Sequence, residues 1–202
     1  MNDIVLVGLV TRDTGVAIHS DALLGKRVLL AITGGIAAVE SVRLARELRR
    51  HQADLTVIMT EEATKIITPL AVSWGSDTIV HQGWSSEMSQ LDDFDVTLIA
   101  PATRNTISKH IHGIMDSPVM MALSASRGRK SKLCFVPSMH TDLFDDPVTS
   151  ELIDALHNEG SHVIINELDE GKLKQPDPVS IVAEVCHIAN RNQSSKSIAI
   201  TM

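Results

Sequence analysis

At 202 residues, 44% of them hydrophobic and 21% charged, the chain has the size of one ordinary α/β domain. A chain of that length buries about 70% of the surface its unfolded form exposes, with no need of a disulfide or structural metal. Eighteen basic against 25 acidic side chains leave a formal net charge of −7, and the aromatics are three Phe, two Trp and no Tyr. A surface for single-stranded nucleic acid needs a basic groove and stacking rings, so nucleic acid is not an expected partner.

Two cysteines, Cys134 and Cys186, occur without a CxxC pair or a Cys/His cluster at zinc spacing. They read as reduced thiols of a cytoplasmic protein, and no metal is expected. The longest apolar runs, such as residues 4–10 and 28–32, are far too short to span a bilayer. The amino-terminal stretch also lacks the basic, apolar and small-residue regions of a signal peptide.

Along the chain, residues 1–25 stand apart as an extension or an extra edge strand, with residues 4–10 strand-like and 11–21 polar. From residue 26 the rhythm is regular. Strands are predicted at 27–32, 55–59, 95–100, 133–136 and 162–165, each a short apolar run of the kind buried on both faces. Helices are predicted at 36–50, 61–67, from about 106 to 125, 148–159 and 178–190, and a polar tail follows from 191 to 202. Alternating strands and helices predict an α/β fold, a three-layer, doubly wound, Rossmann-like parallel sheet with helices on both faces, over residues 26–190. Ligands of such sheets bind beyond the carboxyl ends of the strands.

The unusual tripeptides all follow strands. Thr33-Gly34-Gly35-Ile36 joins the first core strand to its helix, where glycines admit close backbone approach and a helix start favours phosphate. Neither GxGxxG nor GxxxxGK[ST] is present, so the turn suits a mononucleotide phosphate or is simply tight. Thr60, after the second strand, is either a ligand hydroxyl or the cap of the next helix. Pro101-Ala102-Thr103-Arg104-Asn105-Thr106 follows the third strand, with Gly113-Ile114-Met115-Asp116-Ser117 beyond it. Pro137-Ser138-Met139-His140 follows the fourth, and His140 has the chemistry of an acid/base group.

In that order these segments resemble the flavoprotein family of phosphopantothenoylcysteine decarboxylases and lantibiotic-type cysteine decarboxylases. Thr33-Gly34-Gly35-Ile36-Ala37 resembles its [ST]GGIAA turn, and Ile58-Met59-Thr60 with Thr68-Pro69 its second phosphate-side segment. Pro101 to Thr106 is similar to PASANT, His112 to Asp116 to HGIAD, and Pro137 to Phe144 to PxMNxxMW. The resemblance implies FMN as cofactor, held by Thr33, Gly34, Gly35, Ile36, Thr60, Thr68, Ala102, Thr103, Asn105, Thr106 and Met139. It also implies a homotrimer, or an assembly of trimers, with FMN at the subunit interface.

Three departures bear on the reaction. Glu87 stands where the decarboxylases carry His, His140 stands where they carry Asn, and residues 166–176 lack their clamp cysteine. A carboxylate beside a substrate carboxylate repels it. The resulting expectation is an FMN-dependent oxidoreductase acting on a small molecule, like a dihydromethanopterin reductase, with Glu87 or His140 as proton donor and Arg104 on the substrate side. The alternatives are a flavin-dependent decarboxylase of a cysteine-containing substrate and a non-catalytic FMN-binding subunit.

Overall fold

The computed structural model describes residues 14–86, 89–165 and 172–191. Its centre is a parallel sheet of β1 (Arg27–Ile32), β2 (Asp54–Met59), β3 (Val80–Gln82), β4 (Val96–Ala102), β5 (Lys132–Pro137) and β7 (His162–Val163). Across the sheet they run β3-β2-β1-β4-β5-β7, while β6 (Met139–His140) and β8 (Lys172–Leu173) form a separate antiparallel pair. The chain starts in the middle, winds outward to one edge, then returns to wind to the other. The direction therefore reverses between β1 and β4, the place where such sheets open a crevice at their carboxyl edge.

The apolar runs explain the strands. In β1, Val28, Leu30 and Ile32 face one layer and Leu29 and Ala31 the other, all fully buried. The first layer packs on α1 (Ser41–Arg50), α3 (Pro69–Ser76) and α8 (Pro178–Asn190), through Leu44, Leu48, Val72, Ile181 and Val185. The second packs on α4 (Arg104–Ile111), α5 (Pro118–Gly128) and α7 (Pro147–Asn158), through Ile107, Leu123 and Leu152 around Phe135. The three-layer, doubly wound arrangement expected from the sequence is the one observed.

Helix starts are written as a capping residue followed by proline: Thr68-Pro69, Ser117-Pro118, Asp146-Pro147 and Asp177-Pro178. In each the side chain accepts a backbone N–H of the first turn, and proline occupies a position with no intrahelical bond to lose. At the far end of α8, the Lys132 ammonium donates to the carbonyls of Ile188, Ala189 and Arg191 at 2.7, 3.0 and 2.8 Å. Cys134 on β5 is fully buried, and burial pushes its thiol up to about 12.

Several local expectations are corrected. The predicted helix 36–50 is a 3-10 helix, Ile36–Glu40, running into α1, and Ile36 and Val39 are exposed. The segment 61–67 holds only α2 (Glu61–Thr64), and α3 and β3 follow it unforeseen. The long helix expected to about residue 125 is two, because Gly113 turns the chain at φ 69° and Pro118 starts afresh. Residues 14–26 carry no regular element but lie on α1. The His19 and Leu23 amides donate to the carbonyls of Arg50 and His51, and Leu23 is wholly buried, so packing begins before residue 26. The strand-like run 4–10, the tail from 192 and the segment 166–171 lie outside the described residues.

Candidate functional site

A cleft of about 740 Å³ opens where β1 and β4 diverge, at the carboxyl edge of the sheet. That is within the usual range for a small-ligand or cofactor site, roughly 300–1,000 Å³. Five chain segments meet there: the turn after β1 (Thr33, Gly34), the start of α2 (Thr60, Glu62), the end of β3 (Gln82 to Trp84), the start of α4 (Thr103, Asn105, Thr106) and the start of α5 (Ser117). The motifs after β1, β2 and β4 reach the cleft through these residues, whereas no residue of Pro137 to Phe144, after β5, lines it.

Thr33 is 1% exposed. Its Oγ1 donates to the Pro101 carbonyl at 2.7 Å and accepts the Thr103 amide at 3.1 Å. The hydroxyl of this residue, implied to hold FMN, thus ties the ends of β1 and β4 together. Gly34 is required by a close approach, since a Cβ there would collide with Glu62 Cβ. A side chain at Gly35 would meet only ordinary contacts at 3.4 Å and beyond. Thr60, Thr68 and Thr103 are helix caps, accepting the amides of Ala63, Ala71 and Thr106. Thr103 also shares a hydroxyl hydrogen bond of 2.9 Å with Thr106.

Asn105 differs from its neighbours. It is exposed to the cleft, and its amide has no hydrogen-bond partner among the described residues. An amide that can both donate and accept, held on the first turn of a helix, is suited to the edge of a planar polar ring. Nearby, Lys109 and Asp116 pair at 2.6 Å across the wall. Glu61 and Glu62 stand on the exposed rim, Glu61 3.5 Å from Lys65.

The other expected residues lie elsewhere. Ala102 is fully buried in the sheet, and Met139 packs on the second core layer. Gly35, Ile36 and Thr68 do not line the cleft. Arg104 pairs with Asp146 at 2.8 Å, which holds its guanidinium against the start of α7. His140 is exposed on β6, and its Nδ1 accepts the Asp142 amide at 3.3 Å, capping α6 (Thr141–Phe144). Glu87 lies outside the described residues.

Sequence reasoning missed Gln82, Gly83 and Trp84, which line the cleft at the end of edge strand β3 and just beyond it. The available signal was Trp84 itself, one of two tryptophans and half-exposed, behind a strand too short to show periodicity.

Comparison with known proteins gives the family and the fold. The family model described as Flavoprotein matches residues 16–190. A Thermococcus kodakarensis protein named coenzyme A biosynthesis bifunctional protein CoaBC is 36% identical over 189 residues, covering 90% of this chain and 46% of its own length. A Streptococcus mutans protein named probable phosphopantothenoylcysteine decarboxylase is 29% identical over 143 residues, 67% of this chain and 79% of its own. The chain spans less than half the length of the bifunctional relatives it matches. Among solved structures, the FMN-dependent cysteine decarboxylase SpaF superposes with a TM-score of 0.71 at 21% identity, over 83% of this chain and 98% of its own. A PPC decarboxylase variant complexed with pantothenoylaminoethenethiol gives 0.68 at 21% identity, over 79% and 96%. At that identity these two show the fold.

The names of the curated relatives overturn the expectation of reductase chemistry, since they are named for coenzyme A biosynthesis and phosphopantothenoylcysteine decarboxylation. The expected flavin cofactor agrees with the family.

Proposed function

The chain belongs to the Flavoprotein family, and from that premise we propose that it is an FMN-dependent decarboxylase of a cysteinyl carboxylate, of the phosphopantothenoylcysteine type. The observation that carries the reading is the convergence of the ends of β1, β2, β3 and β4 on one cleft, with Asn105 unpartnered in it among the described residues. The residues present fit FMN. Gly34 keeps the first turn tight against α2, Asn105 offers its amide to a ring edge, and Trp84 adds an aromatic side chain to the lining.

When bound, FMN supplies two-electron oxidation of the substrate thiol, which labilises the neighbouring carboxylate as CO₂. The chain's own part is orientation. The Thr33 tie fixes the loop from which Thr103, Asn105 and Thr106 project, so the ring-facing amide stands on rigid backbone. The Lys109–Asp116 pair neutralises two charges on the wall. His140 stands on the same edge of the sheet, beyond the end of β5, with Nε2 left free by its Nδ1 contact, and is assigned the proton-handling role.

The same reading includes a homotrimer, or assembly of trimers, with FMN at the subunit interface. Ile36 and Val39, 76% and 50% exposed on the 3-10 helix beside the cleft turn, are apolar surface for a neighbouring copy to cover. A cytoplasmic location is consistent with two free cysteines, and no helix of the described residues is long and apolar enough to cross a membrane.

The test is a visible spectrum of the purified protein followed by incubation with phosphopantothenoylcysteine and with peptides ending in cysteine. Flavin bands and a product lighter by CO₂ support the proposal. Flavin without decarboxylation of either substrate replaces the enzyme with an FMN-binding subunit. A protein that neither carries nor takes up FMN overturns both.

A further inference from the structure

At the opposite edge of the sheet, where α1 ends and β2 begins, three side chains converge that the flavin site does not use. Glu47 and His51 stand one helical turn apart on α1, and His19 comes from the segment before β1. We propose that His19, Glu47 and His51 bind a divalent first-row transition ion, zinc foremost, as a two-histidine, one-carboxylate site.

The distances carry the argument. Glu47 Oε1 lies 3.6 Å from His19 Nδ1 and 3.5 Å from His51 Nε2, and the three ligand atoms all fall within 4.8 Å of one another. Those separations exceed the usual 2.7–3.2 Å of a hydrogen bond. The two carboxylate–imidazole separations match the edge of a tetrahedron whose ligands sit 2.0–2.1 Å from zinc, about 3.3–3.4 Å, and the exposed His19 side chain has room to bring its nitrogen to the third. A cation between the three groups satisfies them better than they satisfy one another.

The surroundings are those of a metal site. His51 Nδ1 is hydrogen-bonded to Ser20 Oγ at 2.6 Å, and when the ring donates there, its Nε2 lone pair is turned toward Glu47. A ligating imidazole is oriented by such a bond on its other nitrogen. The second carboxylate oxygen of Glu47 is held by Arg50 at 2.6 Å, leaving Oε1 as the single ligand atom. Glu47 is buried while the His19 side chain is 52% exposed, so the carboxylate is fixed and an ion has a way in. The backbone of His19 is pinned by its amide to the Arg50 carbonyl at 2.8 Å, so all three donors ride on one rigid frame. Water completes the fourth position, as at three-ligand zinc sites.

The experiment uses the full chain with its flavin and without a polyhistidine tag, stripped with chelator and titrated with Zn²⁺ by calorimetry and with Co²⁺ by absorbance. The expected result is one ion per chain, tetrahedral-type cobalt bands, and a zinc-dependent rise in thermal midpoint. His19→Ala, at a largely exposed side chain that leaves the fold intact, should weaken zinc binding at least ten-fold with flavin content unchanged. Glu47→Gln should do the same. His162→Ala, in the separate histidine-lined groove beside α8, should leave binding as it was. Absence of saturable one-to-one binding in the unaltered chain overturns the proposal, as does equal affinity in the His19→Ala and Glu47→Gln variants.

Discussion

The Thr33 hydroxyl donates to the Pro101 carbonyl across the two central strands, at the point where the winding of the sheet reverses. The bond joins the ends of β1 and β4 in a position where no ladder hydrogen bond reaches, and it aims the loop that carries Thr103 and Asn105. Removing it by Thr33→Val leaves a buried carbonyl and a partly buried amide unpaired, at a cost of about 1–3 kcal/mol. Urea denaturation should show that loss together with weaker FMN binding, and Thr33→Ser should restore most of both.

Asn105→Ala separates binding from stability. The amide has no partner among the described residues, so the unfolding free energy should move by no more than about 0.5 kcal/mol. FMN affinity should fall roughly five- to ten-fold, the worth of one neutral hydrogen bond of about 1–1.4 kcal/mol. A fluorescence titration reads the second number and a thermal melt the first.

Gly34→Ala is predicted to be severe, because the added Cβ meets Glu62 Cβ at the base of α2. The turn and α2 must separate, so bound flavin should be lost even where the protein still folds. Gly35→Ala, which meets only ordinary contacts, should keep its flavin.

Acid stability follows from His110 and Glu159. The wholly buried imidazole sits 2.7 Å from Glu159 through Nε2, while its Nδ1 is buried with no partner, 5.1 Å ring to ring from Phe135. Burial holds His110 below its ordinary value, so below about pH 6.5 the unfolded chain binds a proton that the folded one refuses. Burial pushes Glu159 up, but hydrogen bonds from Ser161, His110 and Arg127 outweigh it and hold the carboxyl low. Its contribution is therefore present above the ordinary carboxylate range and lost as pH falls through the folded value. Stability should decline from about pH 6.5 downward and more steeply below about 4.5. Thermal midpoints measured between pH 7.5 and 5 should show a shallower slope in His110→Asn, and equal slopes would contradict the assignment.

Arg104 and Asp146 form a partly exposed pair, and Asp146 also caps α7 by accepting the Val148 amide at 2.9 Å. Arg104→Ala should cost no more than about 1 kcal/mol. Asp146→Ala, which removes the cap as well, should cost about 0.5–2 kcal/mol. Chemical denaturation of the two variants checks the order.

What could be read beforehand follows from which residues act locally. The runs of β1, β4 and β5 are apolar because both faces are covered, and that continuity was visible. Edge strand β3 is three residues with only Val80 buried, so nothing in Val80-His81-Gln82 announces it. The strand-end residues Thr33, Gly34, Thr60, Thr103, Asn105 and Thr106 were legible as a group, since topology alone sends them to one edge. Their separate duties were not. Whether a hydroxyl caps its own helix, as at Thr60, or reaches a carbonyl on another strand, as at Thr33, depends on tertiary distance. The pairing of Arg104 with Asp146 and of His19 with Glu47 is hidden for the same reason.

Cys134 and Cys186 give the molecule a built-in chronometer. One thiol is sealed in the middle of the sheet and held protonated, while the other is partly buried on α8 against the first core layer. An alkylating reagent added to the native protein should mark Cys186 first, slowly because burial raises its thiol as well, and reach Cys134 only when the sheet comes apart. The lag between the two labels then times the global opening of the fold without any engineered probe.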